Sequence, residues 1–249
     1  MFLKINPDKT EIILFYPKSL QDQVIIKGSF VEDDCIRHSE AVKNVGVWLD
    51  KNLSFDKHVN AIVSHCYKLI KNISRIRKVI TKEQTEILVH SVISSKLDYC
   101  NSLLINTSQA NLFKLQKVQN TAARLVVQGR KRDGISKVLR DLHWLKIESR
   151  IIFKILLLTY KRIKGLCSQN LRIEYKAYNC RPQDYLLLEI KAAKTKYGKR
   201  TFDYAAPRLW NALPLELRKE ENIDKFKGQI KTILFEGTEE LKRRASIYN

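Results

Sequence analysis

The residues that could hold a metal or attack a bond are few. Glu32, Asp33 and Asp34 stand in a row, and clustered carboxylates hold paired divalent cations about 4 Å apart for phosphoryl transfer. No third aspartate sits on a preceding strand-like segment, so the expected role of the trio is an acidic, solvated loop between two strands. His65 beside Cys66 is the nearest approach to a metal pair, yet adjacent helical residues point about 100° apart. No nucleophile occupies a recognisable elbow, and neither GxxxxGK[ST] nor GxGxxG occurs. The five cysteines, Cys35, Cys66, Cys100, Cys167 and Cys180, show no CxxC or Cys/His ligand spacing. Their odd number speaks against a disulfide framework and for a reducing compartment. No catalytic residue, metal or cofactor is expected from the residues present.

The basic residues offer more. Lys and Arg number 46 against 26 acidic residues, for a net charge of +20, and such an excess calls for an acidic partner. Residues 1–52 are close to neutral, whereas residues 53–165 hold 22 basic against 7 acidic side chains. Within that segment the cations recur at helical spacing. His65, Lys68, Lys71, Arg75 and Lys78 form one row. Lys114, Lys117 and Arg124 form a second, with Thr121 and Gln128 in register and Arg130, Lys131 and Arg132 just beyond. Arg150, Lys154 and Lys161 form a third. Cations three or four residues apart on a helix recur every ~5–6 Å, comparable with phosphate spacing along a strand. Neutralising phosphates releases counterions, which makes such binding salt-dependent and indifferent to sequence. The expected partner is an RNA or DNA backbone.

These rows need helices to carry them. Phe55, Val59, Ile62, Cys66, Leu69, Ile73 and Ile76 alternate by four and three, predicting a helix from Ser54 as N-cap to about Val79. Thr81 with Gln84 reads as a capping box opening a helix through Leu88, Val92 and Ser95 toward Leu97. Ser108 caps a helix whose stripe is Leu112, Leu115, Val118, Ala122 and Leu125, ended by Gly129 in a left-handed turn. A short helix over 136–142 leads to another from Ile147 to Lys164 with Ile152, Leu156, Thr159 and Ile163 on one face, stopped by Gly165. Upstream, 10–16 (TEIILFY), 24–26 (VII) and 44–49 (NVGVWL, with Gly46 inside) read as short strands after an Asn6-Pro7-Asp8 turn. Downstream, 186–190 (LLLEI) reads as a strand, 191–200 as a basic loop and 205–214 as a proline-bounded aromatic unit. Asn222 then caps a helix with Ile223, Phe226, Ile230 and Ile233 inward, and residues from Glu239 on read as frayed. The expectation is a mainly α chain: a β-rich segment at 1–52, a basic helical bundle at 53–165 and a mixed region at 166–249. The N-terminus has charges within any apolar run, and no uncharged run approaches a membrane span. No membrane partner is expected, and the expected location is intracellular, nuclear or cytoplasmic.

Seven blocks in order, NPDKTEIILF, NVGVWLDKNLSFDKHV, SRIRKVI, SSKLDYCNSLL, LQKVQNTAARLV, LHWLKIESRIIFKILLLTYK and YGKRTFDYAAPRLWNALPLELR, resemble the C-terminal third of reverse transcriptases of non-LTR retrotransposons, the LINE and jockey-like elements. The resemblance covers nearly the whole chain, most loosely at 166–196. It implies that residues 1–52 correspond to the end of a palm, that Gly46, Val47, Trp48 and Leu49 correspond to a primer grip, and that the helices after them form a thumb. It also implies that the metal-binding aspartates of such enzymes belong upstream of the block at 6–15, where Met1 stands. Glu32, Asp33 and Asp34 follow that block and are not the family's dyad. Lys9 resembles a late-palm lysine that assists departing pyrophosphate. Three readings follow: a reverse-transcriptase fragment that retains nucleic-acid binding and does not polymerise as given, part of an intact RNA-directed DNA polymerase whose remainder is a partner, or a retroelement relic with inherited charge.

Overall fold

The structure, a computed structural model, describes residues 6, 9–16, 29–31, 34–36, 38–130, 132–168, 170–176 and 186–246. It is mainly α, 61% helical, as the helical periodicities imply. Two compact units are present, Met1–Ser64 and His65–Asn249. The boundary falls inside the first helix, α1 (Asp56–Ile76).

In the first unit β1 (Ser29–Val31) pairs antiparallel with β2 (Asp34–Ile36), and β3 (Ala41–Asn44) with β4 (Val47–Asp50). The expected single strand at 44–49 is therefore corrected to the heart of a hairpin. Asn44 pairs with Val47, and Val45 (φ 44°) and Gly46 (φ 82°) form the turn between them. Two positive φ values in a two-residue loop are the mirror-image geometry that matches strand twist. The expected strand at 10–16 is also corrected: only Ile12 bridges, to His38, with the Ser39 N–H donating to the Ile12 carbonyl at 2.7 Å. An extended segment becomes a strand only where a neighbour takes its donors and acceptors. The expected strand at 24–26, and Pro7, Asp8, Glu32 and Asp33, lie outside the described residues; Asp34 opens β2.

At the start of α1, Asp50 supplements Ser54. Its carboxylate accepts from the backbone N–H groups of Ser54 (2.9 Å) and Phe55 (2.8 Å), while the Ser54 hydroxyl accepts from Asp56 at 3.2 Å. Phe55 is buried with a left-handed backbone (φ 63°). A carboxylate here also faces the positive end of the helix dipole.

In the second unit α2 (Lys82–Val89) opens on the expected Thr81–Gln84 capping box. It runs through a π turn, His90–Ser94, into α3 (Ser95–Asp98). The extra residue of a π turn shifts the helix face. The buried stripe, already set by Thr85 and Val89 before that turn, runs on through Ile93 and Leu97 rather than through Leu88, Val92 and Ser95. After a 3₁₀ turn, Asn101–Leu104, come α4 (Gln109–Val127), α5 (Ile135–Asp141) and α6 (Ile147–Ile163). Then follow α7 (Phe202–Asn211), α8 (Leu215–Lys219) and α9 (Ile223–Ala245). α4 packs against α2, α5 and α6, and α6 packs in turn against α7 and α9. The helices before and after residue 165 thus share one compact unit. Its second centre is aromatic: Tyr160 of α6 stacks on Phe226 of α9 at 4.2 Å between ring centroids, and Trp210 of α7 lies 5.9 Å from Phe226. The 186–190 run forms no strand beyond a bridge between Tyr175 and Leu188. It is held instead by the Asn211 side chain, which both accepts from and donates to the Leu188 backbone.

Asn222 caps α9 by accepting from Asp224 and Lys225. Phe226 and Ile230 are buried as expected, with Leu234 rather than Ile233 continuing the stripe. The frayed end expected after Glu239 is corrected, since α9 continues past a kink at Gly237 to Ala245. Leu241 and Ala245 are buried there, and the Lys242 ammonium lies 2.9 Å from Glu148 and 3.0 Å from Glu239.

Candidate nucleic-acid interface

The first basic row lies on the exposed side of α1. His65, Lys68, Lys71 and Arg75 are all exposed, and Cys66, Ile70 and Ile73 are buried on the opposite side. Burial pushes the Cys66 thiol up to about 11, so it is no thiolate ligand beside His65. Lys78, also exposed, follows the helix end.

Arg77, between Arg75 and Lys78, decides where this row ends. Its guanidinium donates to the carbonyls of Leu125 (3.0 Å) and Val126 (2.8 Å), at the C-terminal end of α4, and to Ile80 (2.9 Å). The last carbonyls of a helix lack intrahelical partners and carry the negative end of its dipole. A planar fork with several donors meets both needs. Arg77 therefore braces the end of α1 against the end of α4.

α4 begins as the sequence implies: the Ser108 hydroxyl accepts from the Asn111 N–H at 3.3 Å. Leu112, Leu115, Val118 and Ala122 are buried, with Val126 rather than Leu125 completing the stripe. The left-handed C-cap is Gln128 (φ 52°), not Gly129. Gly129 serves by its smallness, because a Cβ there would lie 3.1 Å from both Asp133 Oδ2 and Val127 Cγ2. Of the second row, Lys114 and Arg124 are half-buried, and Lys117 is exposed with its ammonium 4.5 Å from the Phe113 ring centroid. Arg130 and Arg132 are exposed, and Lys131 lies outside the described residues. The Asp133 carboxylate accepts the Arg130 backbone N–H at 2.5 Å, which folds the 130–133 turn without engaging the Arg130 side chain.

The third row has another fate. Arg150 is held by Asp98 of α3 through two hydrogen bonds, Nε to Oδ1 at 2.8 Å and Nη2 to Oδ2. Lys154 and Lys161 are half-buried, and Lys161 adjoins Tyr160 on the part of α6 that faces α9. Through the Arg77 contacts the structure thus links the end of the first row (Arg75, Lys78) to the end of the second (Arg124, Arg130 and Arg132), and this joint is the basic corner. The structure gives Arg150 a bracing task instead.

In the first unit the segment 46–49 is a packed hairpin arm. Val47 is buried, Trp48 and Leu49 are half-buried and Gly46 is exposed in the turn. The Trp48 indole is covered by the ammonium of Lys57, 3.7 Å from its centroid, with Lys43 at 6.0 Å. The Trp48 backbone N–H points at Nδ1 of His58 at 3.5 Å. Burial lowers the His58 pKa, which keeps the ring neutral and able to accept.

Among the described residues no group of His, Cys, Asp and Glu could hold a metal ion, and no helix is long and apolar enough to cross a membrane. No family model, curated protein or solved structure matches the chain. The functional residue missed by sequence reasoning is Arg77. It falls outside the row of cations, and its partners lie 48 and 49 residues away.

Proposed function

We propose that this chain is the thumb-bearing portion of a non-LTR retrotransposon reverse transcriptase, and that its helical unit grips the backbone of an RNA–DNA or DNA duplex without reading bases. The observation that carries the gripping role is the basic corner at the ends of α1 and α4, braced by Arg77. Point charges from Lys and Arg neutralise phosphates and set register, while sequence readout needs contacts to base edges. The family assignment rests on the seven blocks of resemblance, and within it polymerisation is assigned to no residue of this chain. Placed in such an enzyme, the unit would hold the product duplex while carboxylates elsewhere position the metals.

The test replaces Lys78, Arg130 and Arg132 together by Gln, in parallel with a control replacing Lys219, Lys225 and Lys227. Both variants lose three charges. For three duplex contacts the slope of log K against log salt shrinks by roughly 2.7 in the first variant, with little change in the second. Equal losses in a filter-binding titration would reduce the corner to solvated surface and sink the proposal.

A further inference from the structure

A second run of cations lies outside the three rows. Residues 191–200 read KAAKTKYGKR, with five basic side chains and no carboxylate. Lys194, Lys196 and Tyr197 are exposed. Lys191 forms a surface ion pair with Glu174 at 3.2 Å.

This segment is a folded loop. The Lys199 N–H donates to the Thr195 carbonyl (3.1 Å), the Gly198 N–H to the Thr195 hydroxyl (3.0 Å), and the Thr201 hydroxyl to the Gly198 carbonyl (2.8 Å). The turn is tight, since a Cβ on Gly198 would come 3.0 Å from Ala193 Cβ. The loop is also fastened to a specific place. The Asn106 amide donates to the Lys199 carbonyl at 2.6 Å, and Arg200 Nε donates to the Asn106 carbonyl at 3.2 Å. Asn106 stands two residues before Ser108, the N-cap of α4.

The basic loop therefore sits at one end of α4 and the basic corner at the other. α4 has 19 residues, which at 1.5 Å per residue span about 28 Å. Lys114 and Lys117 lie between the two ends on the same row. Duplex phosphates repeat every 3.4 Å along each strand, so 28 Å corresponds to about eight base pairs. We propose that Lys194 and Lys196 form a second phosphate-contact site, and that α4 is the spacer that sets its distance from the corner. Resting on the duplex grip proposed above, the inference adds a length requirement: a duplex must exceed about eight base pairs to engage both ends.

The experiment uses the full chain with Lys194→Gln and Lys196→Gln together, two exposed positions whose loss leaves the loop's hydrogen bonds intact. The corner variant (Lys78, Arg130 and Arg132 to Gln) and a charge-matched control (Lys225→Gln with Lys227→Gln) run beside it. Each is titrated against salt on a duplex of about 16 base pairs and on a hairpin with a stem of about 5, which cannot span α4. On the long duplex the loop variant should lose about 1.8 from the salt slope, and on the short stem it should match the unsubstituted chain. The corner variant should weaken on both. A loop variant equal to the unsubstituted chain on the long duplex, beside a weakened corner variant, would overturn the second site and leave the grip standing. So would a loss as large on the short stem as on the long duplex, or one matched by the control. Failure of the unsubstituted chain to bind either duplex would overturn both.

Discussion

Helices α4 and α6 present the same face to a reader of the sequence, with cations three, four or seven residues apart opposite an apolar stripe. Their surroundings use those cations differently. Around α4 the inward-reaching cation is supplied by a neighbour, Arg77, which meets the carbonyls of Leu125 and Val126. On α6 the helix's own cations reach inward. Arg150 meets the Asp98 carboxylate, and Arg162 donates to the Leu171 carbonyl at 2.8 Å. Spacing places a cation on a face; the opposing wall decides whether it braces the fold or meets a partner. A carboxylate or a row of unpaired carbonyls across the gap recruits the cation, and solvent leaves it available.

The largest effect should come from removing the brace. Arg77→Met keeps much of the stem but deletes three charge-assisted hydrogen bonds and leaves helix-end carbonyls without a donor. The expected cost is about 3 kcal/mol, which for a chain of this size lowers Tm by roughly 6–12 °C. Arg77→Lys restores one donor direction and should recover a minority of the loss. A Tm change within about 2 °C would mean that α1 and α4 hold together without the brace, and the contrast between the two helices would lose its physical basis.

A smaller effect separates the two rows directly. Arg150→Gln breaks the pair with Asp98, whose side chains are 15% and 36% exposed. Partial exposure screens the pair, so the expected loss is about 1 kcal/mol in denaturant unfolding. The salt slope for duplex binding should not move. A slope reduced by about 0.9 would place Arg150 among the phosphate contacts and break the comparison. Lys154→Gln with Lys161→Gln sharpens it, with little expected change in either stability or slope.

Local signals were legible where the residues that satisfy a helix end are neighbours in sequence. Thr81 with Gln84, Ser108, Asn222 and Gly165 all act within a turn of where they stand, and each does what its side chain or lack of one implies. The failures are non-local or involve an extra residue. Val45-Gly46 lacks the Asn or Asp that usually flags a hairpin turn, so two strands read as one. The stripe read on Leu88 and Val92 is displaced by one position, because Thr85 and Val89 already fix the buried face and the π turn at His90–Ser94 carries it on to Ile93. Segment 10–16 has strand composition, but among the described residues its one bridge is at Ile12. For the candidate site, the rows were legible, but their sorting was not. Neither the Arg77 brace nor the Arg150–Asp98 pair leaves a trace in spacing, because each joins residues about fifty positions apart.

The smallest effects lie at the C-terminal ends of the same two helices, which solve one geometric problem in two ways. α6 turns out of its last turn through Gly165 at φ +70°, where glycine has no Cβ to clash. α4 makes the equivalent turn on Gln128 at φ 52°, where a side chain costs roughly 1 kcal/mol. Gly165→Ala should therefore destabilise by about 1 kcal/mol, although open space surrounds that position, because the strain is in the backbone. Gln128→Gly should relieve strain in the folded chain but also loosen the unfolded one, leaving a net gain of about 0.5 kcal/mol. Opposite signs from the same class of site, read as shifts of the denaturant midpoint at constant m, would show that α4 tolerates a strained cap. If Gln128→Gly instead destabilises, the Gln128 side chain holds the turn toward Arg130 and Arg132. The end of α4 would then be kept rigid at the place where the basic corner is built.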